Sequence, residues 1–186
     1  MDLNIQLIQN DWRHLAKIYN QTPNHCFAAI DKNTDALEYV KDQTPDICRR
    51  AISLNAYSIK HVRKQTEDLC DYAVLLKPDS IRYMWNPSHA VCVKAVRKFG
   101  LTLIHIGKQT HEICEAAIDE NVGAFKYVIQ QTPELCYKAV KKDPFTLTDV
   151  KEQTEELCLI GISKNPYCLR CIRNQTLAMC MFAVQN

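Results

Sequence analysis

Eight cysteines recur at a fixed step of 22 residues: Cys26, Cys48, Cys70, Cys92, Cys114, Cys136, Cys158 and Cys180, with no insertion or deletion between them. Other columns keep the same step. Gln-Thr stands ahead of the cysteine at Gln21-Thr22, Gln43-Thr44, Gln65-Thr66, Gln109-Thr110, Gln131-Thr132, Gln153-Thr154 and Gln175-Thr176; one unit departs, with Pro87-Ser88. Three residues after each cysteine comes Ala, or Gly161 in one unit, and then Ile or Val. A period of this kind means that each unit is one supersecondary element whose core is completed by its neighbours, so it constrains the fold before any motif does.

Counting Gln as position 1, apolar residues sit at positions 5, 6, 9 and 10, as in Ile47, Cys48, Ala51 and Ile52. These spacings share one helical face, where a strand would alternate. Thr at position 2 is an N-cap, since its hydroxyl accepts from a free first-turn N–H. Proline follows in Pro23, Pro45 and Pro133, at the first helical position where its missing N–H costs nothing. Acids in the first turn (Asp46, Asp68, Glu112, Glu134, Glu156) suit the helix dipole. Asn or Asp at position 13 (Asn33, Asn55, Asn121, Asp143, Asn165) and proline at position 14 (Pro78, Pro144, Pro166) predict a tight turn and a second N-cap. A second helix is expected from apolar pairs three apart, Leu37 and Val40 through Leu169 and Ile172, closed by Lys41, Arg63, Lys151 and Arg173.

The expected fold is all-α, a right-handed α-solenoid of 22-residue helix-turn-helix repeats forming a single repeat domain over 1–186. Residues 1–20 form a degenerate N-terminal cap unit, with Leu7, Ile8, Leu15 and Ile18 in the repeat columns; 21–174 hold seven full repeats and 175–186 a C-terminal half repeat. A leucine-rich repeat of similar length needs an L-x-L strand, whereas the corresponding columns here read Ala-Ile. Composition agrees: 47% apolar residues supply a core, and four glycines among 186 residues favour helices over a turn-rich β fold. A net charge of +2 gives no field that argues for nucleic acid or an acidic membrane. No apolar run approaches the ~18–20 residues that cross a bilayer, and MDLNIQLIQN does not read as a signal peptide, so an intracellular, cytoplasmic chain is expected.

The stretch QTPELCYKAV (Gln131 to Val140), with x-x-N-P and L-x-x-V following in the repeat, resembles the repeats called domain of unknown function 4116, found in giant viruses, protists and some bacteria. The resemblance runs over nearly the whole chain. It implies a helical repeat fold, leaves activity open, and raises as one alternative a structural component of a giant-virus particle, in the virion or infected-host cytoplasm.

The cysteine ladder reads as buried thiols packed as small apolar side chains, because equivalent positions lie a helix-pair step apart, beyond the roughly 4.4–6.8 Å between Cα atoms that a disulfide tolerates. Cys168 and Cys171 make a lone C-x-x-C, without the second pair a zinc site uses. No Gly-rich phosphate loop, G-x-S-x-G, H-E-x-x-H or i, i+4 histidine pair occurs, so no catalytic residue, cofactor, metal ligand or small-molecule substrate is expected. Position 19 alternates Tyr39, His61, Tyr83, His105 and Tyr127, an amphipathic column beside the core. Capping explains Thr at position 2 but not Gln at position 1, which is expected to hydrogen-bond free backbone groups of the neighbouring unit.

Two surface features point toward partners. Lys60, Arg63, Arg82, Lys126, Lys151, Arg170 and Arg173 suggest a basic stripe and hence, as an alternative, nucleic-acid binding; Glu38, Trp85, Ile104, Gly107 and Ile129 interrupt it. Apolar residues also replace charge: Leu159-Ile160 and Met181-Phe182 stand where Arg49-Arg50 stand in a regular unit, and Leu75, Leu76, Trp85, Val93, Leu101 and Ile104 cluster in the middle units. Exposed apolar clusters mark partner surfaces. The sequence therefore predicts a non-enzymatic protein–protein interaction scaffold that binds a protein partner or a second copy through Leu75, Trp85, Val93, Ile104, Leu159, Ile160, Met181 and Phe182.

Overall fold

The structure, a computed structural model, describes residues 2–185. Among the described residues there is no strand. The α-helices are α1 (Leu3–Asn10), α2 (Pro23–Lys32), α3 (Pro45–Leu54), α4 (Glu67–Leu76), α5 (His89–Lys98), α6 (His111–Glu120), α7 (Pro133–Lys142), α8 (Glu155–Lys164) and α9 (Leu177–Gln185). Thr22, Thr44, Thr110, Thr132 and Thr154 each accept from the third N–H of their helix. Where Pro87-Ser88 replaces Gln-Thr, Ser88 Oγ keeps the cap, accepting from Val91 N at 3.3 Å.

The second element of each repeat is not an α-helix. It is a six-residue 3₁₀ helix, for example Thr34–Tyr39, Ala56–His61, Val122–Tyr127 and Pro144–Asp149. The Asn or Asp at position 13 takes extended backbone, and its side chain accepts from the N–H two residues on, as Asn33 does from Asp35 at 2.8 Å. Six residues allow two turns of i→i+3 bonding and no α-helical face. The apolar pair three apart is a 3₁₀ residue and its C-cap, joined by one hydrogen bond: Val40 N–H to Leu37 O at 3.3 Å, Val128 N–H to Phe125 O at 3.0 Å.

Positions 5, 6, 9 and 10 of α2 to α8 are buried throughout. So is position 16, which holds only small side chains: Ala36, Ser58, Ser80, Thr102, Ala124, Thr146 and Cys168. Within each compact unit this places the foot of a 3₁₀ helix against the α-helix of its own repeat, as at α2, α3, α4, α6, α7 and α8. His25 occupies an aliphatic column yet is 4% exposed. Its Nδ1 accepts from Thr22 N at 3.2 Å, so Nε2 carries the proton and donates to Asp2 Oδ2 at 2.6 Å. That bond holds the Asp2 carboxyl below its ordinary range.

The chain divides into two compact units, one up to Ala95 and one from Val96. In the first, α1 packs on α2, α2 on α3 and α3 on α4; in the second, α6 packs on α7, α7 on α8 and α8 on α9. The division falls inside α5, the helix of the repeat that lacks Gln-Thr.

Two hydrogen-bond ladders tie consecutive repeats. In the first, Gln43 Nε2 donates to Leu37 O of the preceding repeat (2.9 Å) and to His61 O of its own (2.9 Å), while its Oε1 accepts from Arg63 N (2.9 Å). Gln21, Gln65, Gln109 and Gln153 repeat this three-bond bridge. The recurring glutamine thus does bind the neighbouring unit's backbone. The second ladder uses the base at position 21, which reaches back to carbonyls of the preceding repeat: Lys41 to Tyr19 O (3.0 Å), Arg63 to Val40 O (2.7 Å), Lys151 to Ile129 O (2.7 Å) and Arg173 to Lys151 O (2.9 Å).

Candidate functional site

The ladders consume the polar groups at the Gln-Thr end of each repeat and leave a groove between successive turns. In the first compact unit one such groove, of about 300 Å³, lies among Tyr19, Gln21, Lys41 and Ile47. In the second, an equivalent one of about 290 Å³ lies among Gly107, Gln109, Ile129 and Leu135. The next along, between α7 and α8, holds about 600 Å³.

Side chains that meet across adjacent helices account for the difference from the groove one repeat earlier. Within each compact unit, position 7 of one repeat meets position 8 of the next in several pairs. Arg49 stacks its guanidinium 4.9 Å from the centre of the Tyr72 ring, Asp71 pairs with Lys94, and Glu115 with Lys138 at 2.8 Å. Between α7 and α8 the pair is Tyr137 and Ile160, which carry no charge to draw together. Both line the groove, with Ile129, Pro133, Cys136 and Leu157 completing its apolar wall.

Its rim is acidic. Glu134, Glu152 and Glu156 line it and are exposed. The Glu134 carboxyl is held below its ordinary range by its own backbone N–H and by Thr132. One base lines the groove, Lys151, and its ammonium is engaged by Ile129 O. Burial pushes the Cys136 thiol up, so it stays protonated and poorly nucleophilic at neutral pH.

Of the residues the sequence singled out, Ile160 lies in this groove. Leu159 shares α8 with it and is half-buried; Met181 (56% exposed) and half-buried Phe182 lie on α9, which packs against α8. Leu75 and Trp85 are exposed in the first compact unit and Ile104 in the second. Val93 belongs to no surface: it is 7% exposed, a core residue. The basic stripe is largely occupied. Arg63, Lys151 and Arg173 bind carbonyls, Lys60 sits 3.2 Å from Asp35, Arg82 3.4 Å from Asp79, and Arg170 stacks on Phe145.

Sequence reasoning named Ile129 only as a break in the basic stripe and missed Tyr137; they are 55% and 46% exposed. The signal was present. Ile129 takes a column where Lys41, Arg63, Lys151 and Arg173 also stand, and Tyr137 one where Arg49, Asp71 and Glu115 do. Among the described residues no group of three His, Cys, Asp or Glu side chains is placed to hold a metal ion, and no helix is long and apolar enough to cross a membrane. All ten cysteines are free thiols. Compared with models of known protein families, with curated proteins and with solved structures, the chain matches none of them.

Proposed function

We propose that this chain is a non-enzymatic protein–protein interaction scaffold, its repeats stacked as a right-handed α-solenoid and its partner held in the groove between α7 and α8. One observation carries the reading: at Tyr137 and Ile160 a pair without charge stands where Glu115 meets Lys138 one repeat earlier, and the apolar groove there has about twice the volume of its equivalents. A groove of this kind suits an anchoring side chain of a partner, since large apolar anchors supply most of the energy of an interface. The capped helices and occupied bases around it support a rigid frame for docking. The recurring Gln-Thr-Pro-Glu-Leu-Cys phrase, similar to the repeats of domain of unknown function 4116, fits a scaffold built by duplication.

Affinity capture followed by mass spectrometry tests the reading, using the wild-type chain and an Ile160→Asp variant of unchanged circular dichroism. A set of proteins retained by the wild type and lost by the variant is expected. Identical sets for both proteins would remove the proposal.

A further inference from the structure

We infer that the occupant of the α7–α8 groove is a protein segment presenting one large apolar side chain flanked by lysines or arginines. The inference rests on the scaffold reading and names the chemistry of its partner. The groove, about 600 Å³, falls within the range of sites that enclose a bulky group, and its wall is apolar at Ile129, Tyr137, Leu157 and Ile160. Its rim sets the sign of the neighbours. Three exposed carboxylates, Glu134, Glu152 and Glu156, stand against one ammonium, and Lys151 Nζ is already 2.7 Å from Ile129 O. Carboxylates beside an apolar wall attract cations more strongly than carboxylates in open water, because the wall lowers the local dielectric. An acidic segment would meet like charge there. A purely apolar segment would cover the carboxylates without pairing them.

The equivalent grooves lack this combination. The one among Tyr19, Gln21 and Lys41 has a single acid, Asp42, in its lining; the one among Gly107 and Gln109 is lined by Lys108 and His111 and no acid. The charge pattern is thus local to the enlarged groove rather than a property of the repeat.

Fluorescence anisotropy with two labelled peptides is the test: Lys-Arg-Leu-Phe-Lys-Arg and its acidic counterpart Glu-Asp-Leu-Phe-Glu-Asp. The basic peptide is expected to bind the wild-type chain and the acidic one not. The double variant Glu152→Lys, Glu156→Lys, at exposed positions that leave the core untouched, should weaken the basic peptide by about tenfold or more, and Ile160→Asp likewise. Glu155→Lys, one charge reversal instead of two and outside the groove's lining, should leave affinity within about twofold. Equal binding of both peptides, an equal effect of Glu155→Lys, or indifference to the double variant would each overturn the inference. Failure of the basic peptide to bind, alongside Ile160-dependent capture of proteins, would overturn this partner chemistry and leave the scaffold standing. Binding as expected without any Ile160-dependent capture would instead remove the scaffold reading alone.

Discussion

Gly161 shows how closely single atoms are fitted in this repeat. It takes the column that holds Ala29, Ala51, Ala73, Ala95, Ala117 and Ala139 elsewhere, and its φ is not positive, so backbone freedom does not explain it. A Cβ added there would lie 2.6 Å from Leu147 Cδ1 and 3.2 Å from Cys168 Sγ. The nearer neighbour is Leu147 of the preceding repeat, and Cys168 at position 16 of the same repeat closes the space behind it. Gly161→Ala gains about 1 kcal/mol of helix propensity but overpacks a closed core, at about 1–3 kcal/mol. Net destabilisation of roughly 1 kcal/mol in urea unfolding is expected. With Cys168→Ala already in place, the loss should shrink, since one of the two close neighbours is gone. An identical loss in both backgrounds would show that Leu147 alone makes the fit tight. Gly100 is a second close fit: a Cβ there would stand 2.4 Å from Ala117 O, and the Gly100 N–H binds the Glu120 carboxylate where Phe99, lacking a polar side chain, cannot cap as Asn33 does.

At the scale of the element, the glutamine bridge joins the ends of two consecutive 3₁₀ helices, which have no α-helical bonds to fall back on. Gln109 donates to Leu103 O and Tyr127 O and accepts from Ile129 N. Gln109→Ala leaves these partly buried backbone groups unpaired, so a loss of about 1–3 kcal/mol is expected. Among the described residues Gln175 donates only to Leu169 O and Ile172 O, both of the preceding repeat, and its replacement by Ala should lower stability by less than about 1 kcal/mol. Thermal melts of the two variants side by side decide it; equal shifts would mean that the bridge adds nothing. Most of this architecture is legible in the sequence because a strict period turns eight noisy patterns into columns: the Thr caps, the buried Cys-x-x-Ala-Ile face and the bridging Gln all appear there. The 3₁₀ character of the second element does not, since apolar residues three apart sit on one face of either helix type. Nor does the enlarged groove. Only contact across helices shows that position 7 meets position 8 of the next repeat, and so that Tyr137 and Ile160 belong to one site.

At the scale of the whole molecule, the buried cysteines, seven of the repeat column and Cys168, make stability depend on alkaline pH. Eight thiols lie in cores of the two compact units: burial pushes Cys26, Cys48, Cys92, Cys114, Cys136 and Cys158 up from 9.0, and Cys70 and Cys168 up to about 11. The folded chain therefore holds these protons more tightly than the unfolded chain does. The sign follows by linkage: the thiol contribution is complete below pH 9 or so and is lost as pH rises toward 11. Carboxylates act at the other end. Asp35, held low by His61, and Asp119, held low by Lys138, contribute above the ordinary carboxyl range and lose that contribution as pH falls through their lowered values. A stability plateau from about pH 5 to pH 8.5 is expected between these limits. Each pKa unit is worth about 1.4 kcal/mol, so Cys70 alone accounts for about 2 kcal/mol at about pH 10.5. Urea titrations at about pH 7.5 and pH 10.5 should show wild type losing more stability than Cys70→Ala by that amount, the alanine removing the titration while staying close to cysteine in size. Tyrosines and lysines titrate alike in both proteins and cancel in the difference. Parallel losses in the two proteins would mean that the thiols ionise as readily in the fold as outside it, and the packed interior that every repeat depends on would not be closed to water.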